Sequence, residues 1–135
     1  MKLSFASVYA LRALAHLAGE EQQGREVASH VIARVRNIPD RFLLKVLRPL
    51  VQAGLVLSVK GPNGGYRLAR PASRISVLEV VEAQEGPMQV LIPDVGPKEG
   101  SRLQGRLQVV CEQVTEAQRR LLAKTKVSDL VMGKA

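Results

Sequence analysis

The 135-residue sequence predicts a mainly α-helical fold with one small β-hairpin, a winged helix-turn-helix followed by a long C-terminal dimerisation helix. Three observations predict it. Two helix-sized apolar patterns meet at the tight turn Asn37-Ile38-Pro39. Residues 55 to 70 follow at once as two short alternating runs around the glycine-rich tip Gly61-Pro62-Asn63-Gly64-Gly65. Between Ser101 and Lys124, Leu103, Leu107, Val110, Val114, Ala117 and Leu121 recur at intervals of 4, 3, 4, 3 and 4. Each sign is weak alone. Their order carries the assignment, because a recognition helix and a wing must emerge from one small core to reach adjacent grooves of a duplex.

Residues 4 to 18 predict the first helix, apolar nearly all round and therefore expected to be buried against a second layer or a second subunit. Gly19 to Gly24 is a polar connection. Val27 to Arg36 predicts a short helix with Val27, Val31, Ile32 and Val35 inward and Ser29 as its start cap. Pro39 disfavours helix at Ile38 and suits the start of the third helix, Asp40 to Ala53. There Phe42, Leu43, Val46, Leu47 and Leu50 supply the apolar face, with a bend expected at Pro49. Gly54 ends this helix in the left-handed position.

In the hairpin, Leu55, Leu57 and Val59 alternate with Val56, Ser58 and Lys60, and Tyr66 and Leu68 with Arg67 and Ala69. Pro62 fixes one backbone angle. Asn63, Gly64 and Gly65 tolerate positive φ, so the tip reverses and brings backbone N–H groups near a phosphate, flanked by Lys60 and Arg67. Ser76-Val77-Leu78-Glu79 reads as a capping box that opens a helix ending at Gly86. Residues 86 to 100 read as an irregular loop with Val90-Leu91-Ile92 apolar enough to dock. The narrow stripe on the helix from Ser101 to Lys124 suits pairing with the same helix of a second subunit, against the alternative of packing on its own chain. Thr125 to Met132 predicts a short closing helix with Leu130 and Val131 inward.

Charge divides the chain. Residues 1 to 75 hold 12 Lys/Arg against 4 Asp/Glu, a surplus of 12 − 4 = +8, whereas residues 76 to 135 hold 8 of each. A basic front that meets a polyanion and a neutral rear for assembly or regulation are expected, with domains at 1–75 and 76–135. The single cysteine, Cys111, excludes an intrachain disulfide and a four-thiolate metal site, so a reducing, cytoplasmic setting is expected. No stretch approaches the ~20 apolar residues of a membrane span, and no membrane partner is expected. The two histidines, His16 and His30, and one remote cysteine cannot assemble a Ser/His/Asp or Cys/His site, and no phosphate-binding Gly-Lys-Ser/Thr loop is present, so no enzyme is expected.

At residue level, Met1-Lys2-Leu3-Ser4 with residues 9 to 14, Ile32-Ala33, Ile38-Pro39 with Phe42-Leu43, residues 53 to 56, the wing from Lys60 to Leu68, and residues 75 to 86 resemble the Rrf-two family of bacterial winged-helix regulators. The resemblance is close over about residues 1 to 86 and one of layout beyond. It implies a homodimer whose two winged domains grip a palindromic operator, and the function expected is that of a sequence-specific regulator of double-stranded DNA, a repressor that competes with polymerase for promoter DNA. It places base reading at Pro39, Arg41, Leu44 and Lys45, and minor-groove entry at Lys60. Arg41 and Lys45 suit guanine or phosphate, whereas Pro39 and Leu44 offer only apolar contact. Lys2, Tyr9, Arg48, Asn63, Gly64, Tyr66 and Arg67 complete the candidate DNA-binding set, and the stripe from Leu103 to Leu121 is the candidate dimer seam. Cluster-binding members carry three cysteines in the loop corresponding to residues 86 to 100; this loop has none, so no cofactor and no metal are expected. An unidentified effector or protein partner stays open, as does a winged helix that has become a protein-interaction module and no longer reads an operator.

Overall fold

The computed structural model describes residues 1–96 and 101–132. Helix α1 spans Phe5–Gly19, α2 Ser29–Val35, α3 Asp40–Gln52, α4 Val77–Glu85, α5 Ser101–Lys124 and α6 Val127–Met132, and strands β1 (Val56–Val59) and β2 (Gly65–Leu68) form one antiparallel hairpin between α3 and α4. Its register pairs Val56 with Leu68 and Val59 with Gly65. The core runs through the bundle from Ala10, Leu14 and Leu17 of α1 to Leu43, Leu47 and Leu50 of α3, and takes in Ile75, Val80 and Val127. The expectation for residues 97 to 100 as part of a loop lies outside the described residues.

Ser4 caps α1, its hydroxyl accepting from the Ser7 N–H, which satisfies one of the otherwise unpaired first-turn donors. The helix is not buried all round: Phe5 is 81 % exposed, and Val8 is exposed beside it. Helix α2 starts later than the pattern predicts. Val27 exchanges both backbone hydrogen bonds with Tyr66, at 2.9 Å each, and is held extended, so Ala28 takes the cap position and Ser29 becomes the first helical residue. Val35 is exposed, not inward. In the turn, Asn37 adopts φ 53°, and the Ile38 N–H donates to the Ala33 carbonyl at 2.9 Å.

Pro39 sits in the cap position of α3, its carbonyl accepting from Phe42 and Leu43. The helix runs unbroken through Pro49 to Gln52, and Gly54, at φ 75°, turns the chain into the wing. Leu43, Val46, Leu47 and Leu50 are buried as the pattern predicts, but Phe42 is 48 % exposed because its ring leaves the core to lie against Tyr9, centroids 6.0 Å apart. The hairpin faces are also shifted. Leu55 precedes the strand and is tied to α3 through the Leu50 carbonyl, so Leu55 and Val56 are both buried while Leu57 is exposed.

Ser76 caps α4 by accepting from the Glu79 N–H, and Gly86 stops the helix at φ 84°. Residues 86 to 96 have no regular structure, and the Val90 N–H donates to Thr115 Oγ1 of α5 at 2.9 Å. The closing helix is turned round relative to the expectation: Val127 is fully buried while Leu130 and Val131 are exposed. Backbone bonds from Val127 N–H to Ile75 O and from Val77 N–H to Thr125 O, both 2.8 Å, lock the first residue of α6 against the start of α4.

Candidate nucleic-acid interface

Helix α3 buries Leu43, Val46, Leu47 and Leu50. At 3.6 residues per turn the opposite side carries Arg41, Lys45 and Arg48, which are exposed and form no ion pair among the described residues. One helix face thus points three cations at solvent, with Pro39 and Leu44 exposed at its N-terminal end. Desolvated phosphate or a base edge is the chemistry such a stripe accepts.

The wing is held by more than its own turn. The Val27–Tyr66 bridge ties β2 to the residue before α2, so the wing and the helix-turn-helix share a backbone seam. Gly64 and Gly65 serve a different purpose from the expected one. Only Gly61, at φ 116°, takes positive φ in the tip. Gly64 and Gly65 are demanded by space: a Cβ on Gly64 would lie 2.2 Å from the Val59 carbonyl oxygen, and one on Gly65 2.4 Å from that of Val27. Lys60 and Asn63 are exposed at the tip, while Tyr66 is half-buried against the core. Arg67 stands on the exposed side of β2 with its Nε 3.9 Å from Glu26 Oε1.

Tyr9 joins α1 to α3. Its ring lies between Phe5 and Phe42, and the Arg12 guanidinium sits 5.8 Å from its centroid. Lys2 lies elsewhere, beside the C-terminal end of α4. Near α2, Arg36 Nε donates to His16 Nδ1 at 3.3 Å; burial first, and then the Arg36 charge, hold the His16 pKa below its ordinary value, against an opposing pull from Glu20.

Helix α4 binds every neighbouring layer through polar groups that sequence reasoning missed. Glu79 pairs with Arg70 at the foot of the wing, and Glu82 pairs with Arg119 of α5 and accepts from the Met88 N–H. Gln84 Nε2 donates to the Val46 carbonyl of α3 at 2.9 Å, and Glu85 accepts from Ser4 and Ser7 at the start of α1. Burial would raise the pKa of Glu79, yet the Arg70 hydrogen bond and charge, helped by Ser76, hold it below the ordinary glutamate value. Glu85 is lowered likewise, burial being outweighed by the Ser7 hydroxyl and the Ser4 N–H and hydroxyl. The spacing Ser4-x-x-Ser7 was a visible cap signal; the partner 78 residues away was not.

The seam on α5 is uncovered. Leu103, Leu107, Val110, Val114 and Leu121 are 41–65 % exposed, and Ala117 is exposed with them. The chain packs instead on the adjoining stripe of Cys111, Thr115, Gln118, Arg119 and Leu122, all half-buried. Cys111 is free, and among the described residues no group of three His, Cys, Asp or Glu side chains converges.

Three comparisons with known proteins agree. The curated HTH-type transcriptional regulator IscR of Cereibacter sphaeroides is 35 % identical over 135 residues, covering 97 % of this chain and 87 % of that protein. The solved structure of CymR (YrzC), the global cysteine regulator of B. subtilis, superposes with a TM-score of 0.78 at 25 % identity, covering 100 % of this chain and 99 % of that one. T. potens IscR gives 0.75 at 26 % identity, covering 98 % and 87 %. The model of the Rrf2 family, described as an iron-dependent transcriptional regulator, matches residues 3–133. With a winged helix-turn-helix in place and nearly the whole chain matched, the protein belongs to the Rrf2 family, whose members are transcriptional regulators and not enzymes.

Proposed function

We propose that this chain is a homodimeric repressor that binds a palindromic operator in double-stranded DNA in the cytoplasm, without an iron–sulfur cluster. The observation that carries the reading is the stripe Arg41, Lys45 and Arg48 on the solvent face of α3, in no ion pair among the described residues and beside a wing tied to the same helix-turn-helix. Arg41, Lys45, Leu44 and Pro39 meet base edges in the major groove. Lys60 reaches the minor groove, Asn63 and the Gly64 backbone approach phosphate, and Arg48 and Arg67 add phosphate contacts. Tyr66 supports the wing, Tyr9 braces α3, and residues 76–135 provide assembly. Two copies join through the exposed seam from Leu103 to Leu121, which leaves an apolar stripe in water if the chain stays alone.

The chemistry of the donor set supports a cluster-free regulator. Residues 86 to 100 contain no cysteine, Cys111 is the single thiol of the chain, and Glu82 and Glu85 are engaged by Arg119, Ser4 and Ser7. Iron–sulfur clusters are held by several thiolates, and these residues do not fit one. Among the described residues no helix is long and apolar enough to cross a membrane.

Selection of genomic fragments by the purified protein tests the reading. One enriched palindrome is expected, with log affinity falling by about 0.9 per phosphate contact against log salt. Lys60→Ala and Arg67→Ala weaken all sequences alike, whereas Arg41→Ala changes which base is preferred. Flat affinity across sequences overturns operator reading and favours a protein-interaction module.

A further inference from the structure

Residues 102 to 110 of α5 are all exposed, so the first half of that helix stands clear of its own chain. Val109 is 53 % exposed, and at 3.6 residues per turn it lies about 120° round the helix from the seam, out of reach of a helix paired there. Arg102, Gly105, Arg106 and Val109 line a groove of about 500 Å3 on that face. Gly105 gives the groove its depth: a Cβ there would meet nothing within 4 Å. A glycine inside a helix weakens it, and no close approach within the described chain calls for one here. A second uncovered apolar surface is the start of α1, with Phe5 81 % and Met1 67 % exposed and Leu3 and Val8 exposed beside them. By their exposed fractions, the apolar residues of the seam offer on the order of 400 Å2, about half of the ~800 Å2 per partner in a standard interface. The α1 surface offers an area of the same order.

The register of the seam brings the two surfaces together. Its midpoint is Glu112, nine positions from Leu103 and nine from Leu121. Two copies paired antiparallel about that point set Gly105, seven positions before it, level with Arg119 of the partner subunit, seven positions after it. Gln118 lines one cleft with Met1 and Lys2 of its own chain, so the partner's N-terminal residues arrive beside the groove. Antiparallel pairing also opposes the helix dipoles and keeps Arg102 and Arg106 of the two copies apart, no acid standing among residues 102 to 110 to offset them. We infer that Phe5 of each subunit seats in the Gly105 groove of the other, with Val8 against Val109, so that α1 closes the dimer together with α5. The contact is reciprocal, as two-fold symmetry requires, and it rests on the proposed dimer. Its consequence lies in α3. The Phe5 ring is 6.3 Å from that of Tyr9, and Tyr9 is 6.0 Å from Phe42, so each recognition helix is braced by the other subunit.

The test co-expresses two forms of the full chain that differ in tag length, both with Cys111→Ser, one with Phe5→Cys and the other with Gly105→Cys, and treats the purified protein with a short bismaleimide. Cross-links between a long and a short chain are expected. Cross-links only between chains of equal length overturn the contact, and so does their complete absence, the outcome if a small molecule or an unrelated protein covers Phe5. In the otherwise unaltered chain, Phe5→Gln and Gly105→Arg, both at positions uncovered in the single chain, keep the helix content. Each weakens the dimer by at least about a hundredfold in sedimentation, because every dimer loses two contacts of about tenfold or more apiece. Either variant dimerising as tightly as the wild type overturns the inference and leaves the α5 seam standing. A wild type that stays monomeric overturns the contact and the seam together, whereas a cross-linked dimer that enriches no palindrome upholds the contact and removes the operator.

Discussion

Gly65→Ala probes the join between wing and helix-turn-helix at its tightest point. The added methyl would sit 2.4 Å from Val27 O, 2.5 Å from Val27 C and 2.8 Å from Ala28 N, all backbone atoms that cannot rotate away. Restoring ordinary contact at 3.4 Å requires β2 and the Val27 segment to part by about 1 Å. That carries the two Val27–Tyr66 hydrogen bonds, each 2.9 Å, to nearly 4 Å, beyond useful length. Two backbone bonds at about 1 kcal/mol each put the loss near 2 kcal/mol, or roughly 6–10 °C in midpoint for a domain of this size. Thermal unfolding gives the total, and amide exchange at Val27 and Tyr66 shows whether the bridge is the part that opened. Operator affinity falls with it, because the wing is no longer set against α3. Gly105→Ala serves as the control: no atom stands within 4 Å of the new Cβ, and an alanine within α5 stabilises by about 0.5–1 kcal/mol. Unchanged melting and unchanged Tyr66 protection in Gly65→Ala would refute the argument that this glycine is required by space.

Two further outcomes follow from the same geometry. Leu107→Glu combined with Val114→Glu places charge on a seam that is exposed in the single chain, so the monomer fold keeps its helix content while light scattering reports loss of the dimer and operator affinity drops; a variant that stays dimeric refutes the seam. Glu79 and Glu85 have folded pKa values below the ordinary glutamate value, so their contribution is present above that value and is lost as pH falls through the lower, folded ones. Urea midpoints measured down that acid window therefore decline more steeply for the wild type than for Glu79→Gln, and parallel curves would count against the Arg70 pairing as the cause.

Much of the fold was legible because it depends on local pattern. The burial of Leu43, Val46, Leu47 and Leu50 follows from 3.6-residue periodicity, and the same periodicity puts Arg41, Lys45 and Arg48 on the other side. Gly54 and Gly86 end their helices as residues without a Cβ do, and Ser76 caps α4. The errors share one origin. Phe42, Val35, Leu57, Leu130 and Val131 are apolar residues in plausible inward phase, yet all are exposed, because the neighbour that would cover them is fixed by how distant segments meet.

The order of elements, the cationic face of α3, the lopsided charge and the apolar stripe on α5 were decided by residues close in sequence, whose spacing alone sets which of them share a face. The tertiary structure decided what those faces meet. It paired Val27 with Tyr66 and so delayed α2, made Gly64 and Gly65 a requirement of space and not of backbone angle, and joined α4 to α1, α3, α5 and the wing through Ser4, Val46, Arg119 and Arg70. Hydrogen bonds between residues 38 to 81 positions apart have no periodic trace in a sequence. They exist only once packing has brought the partners within 3 Å of one another.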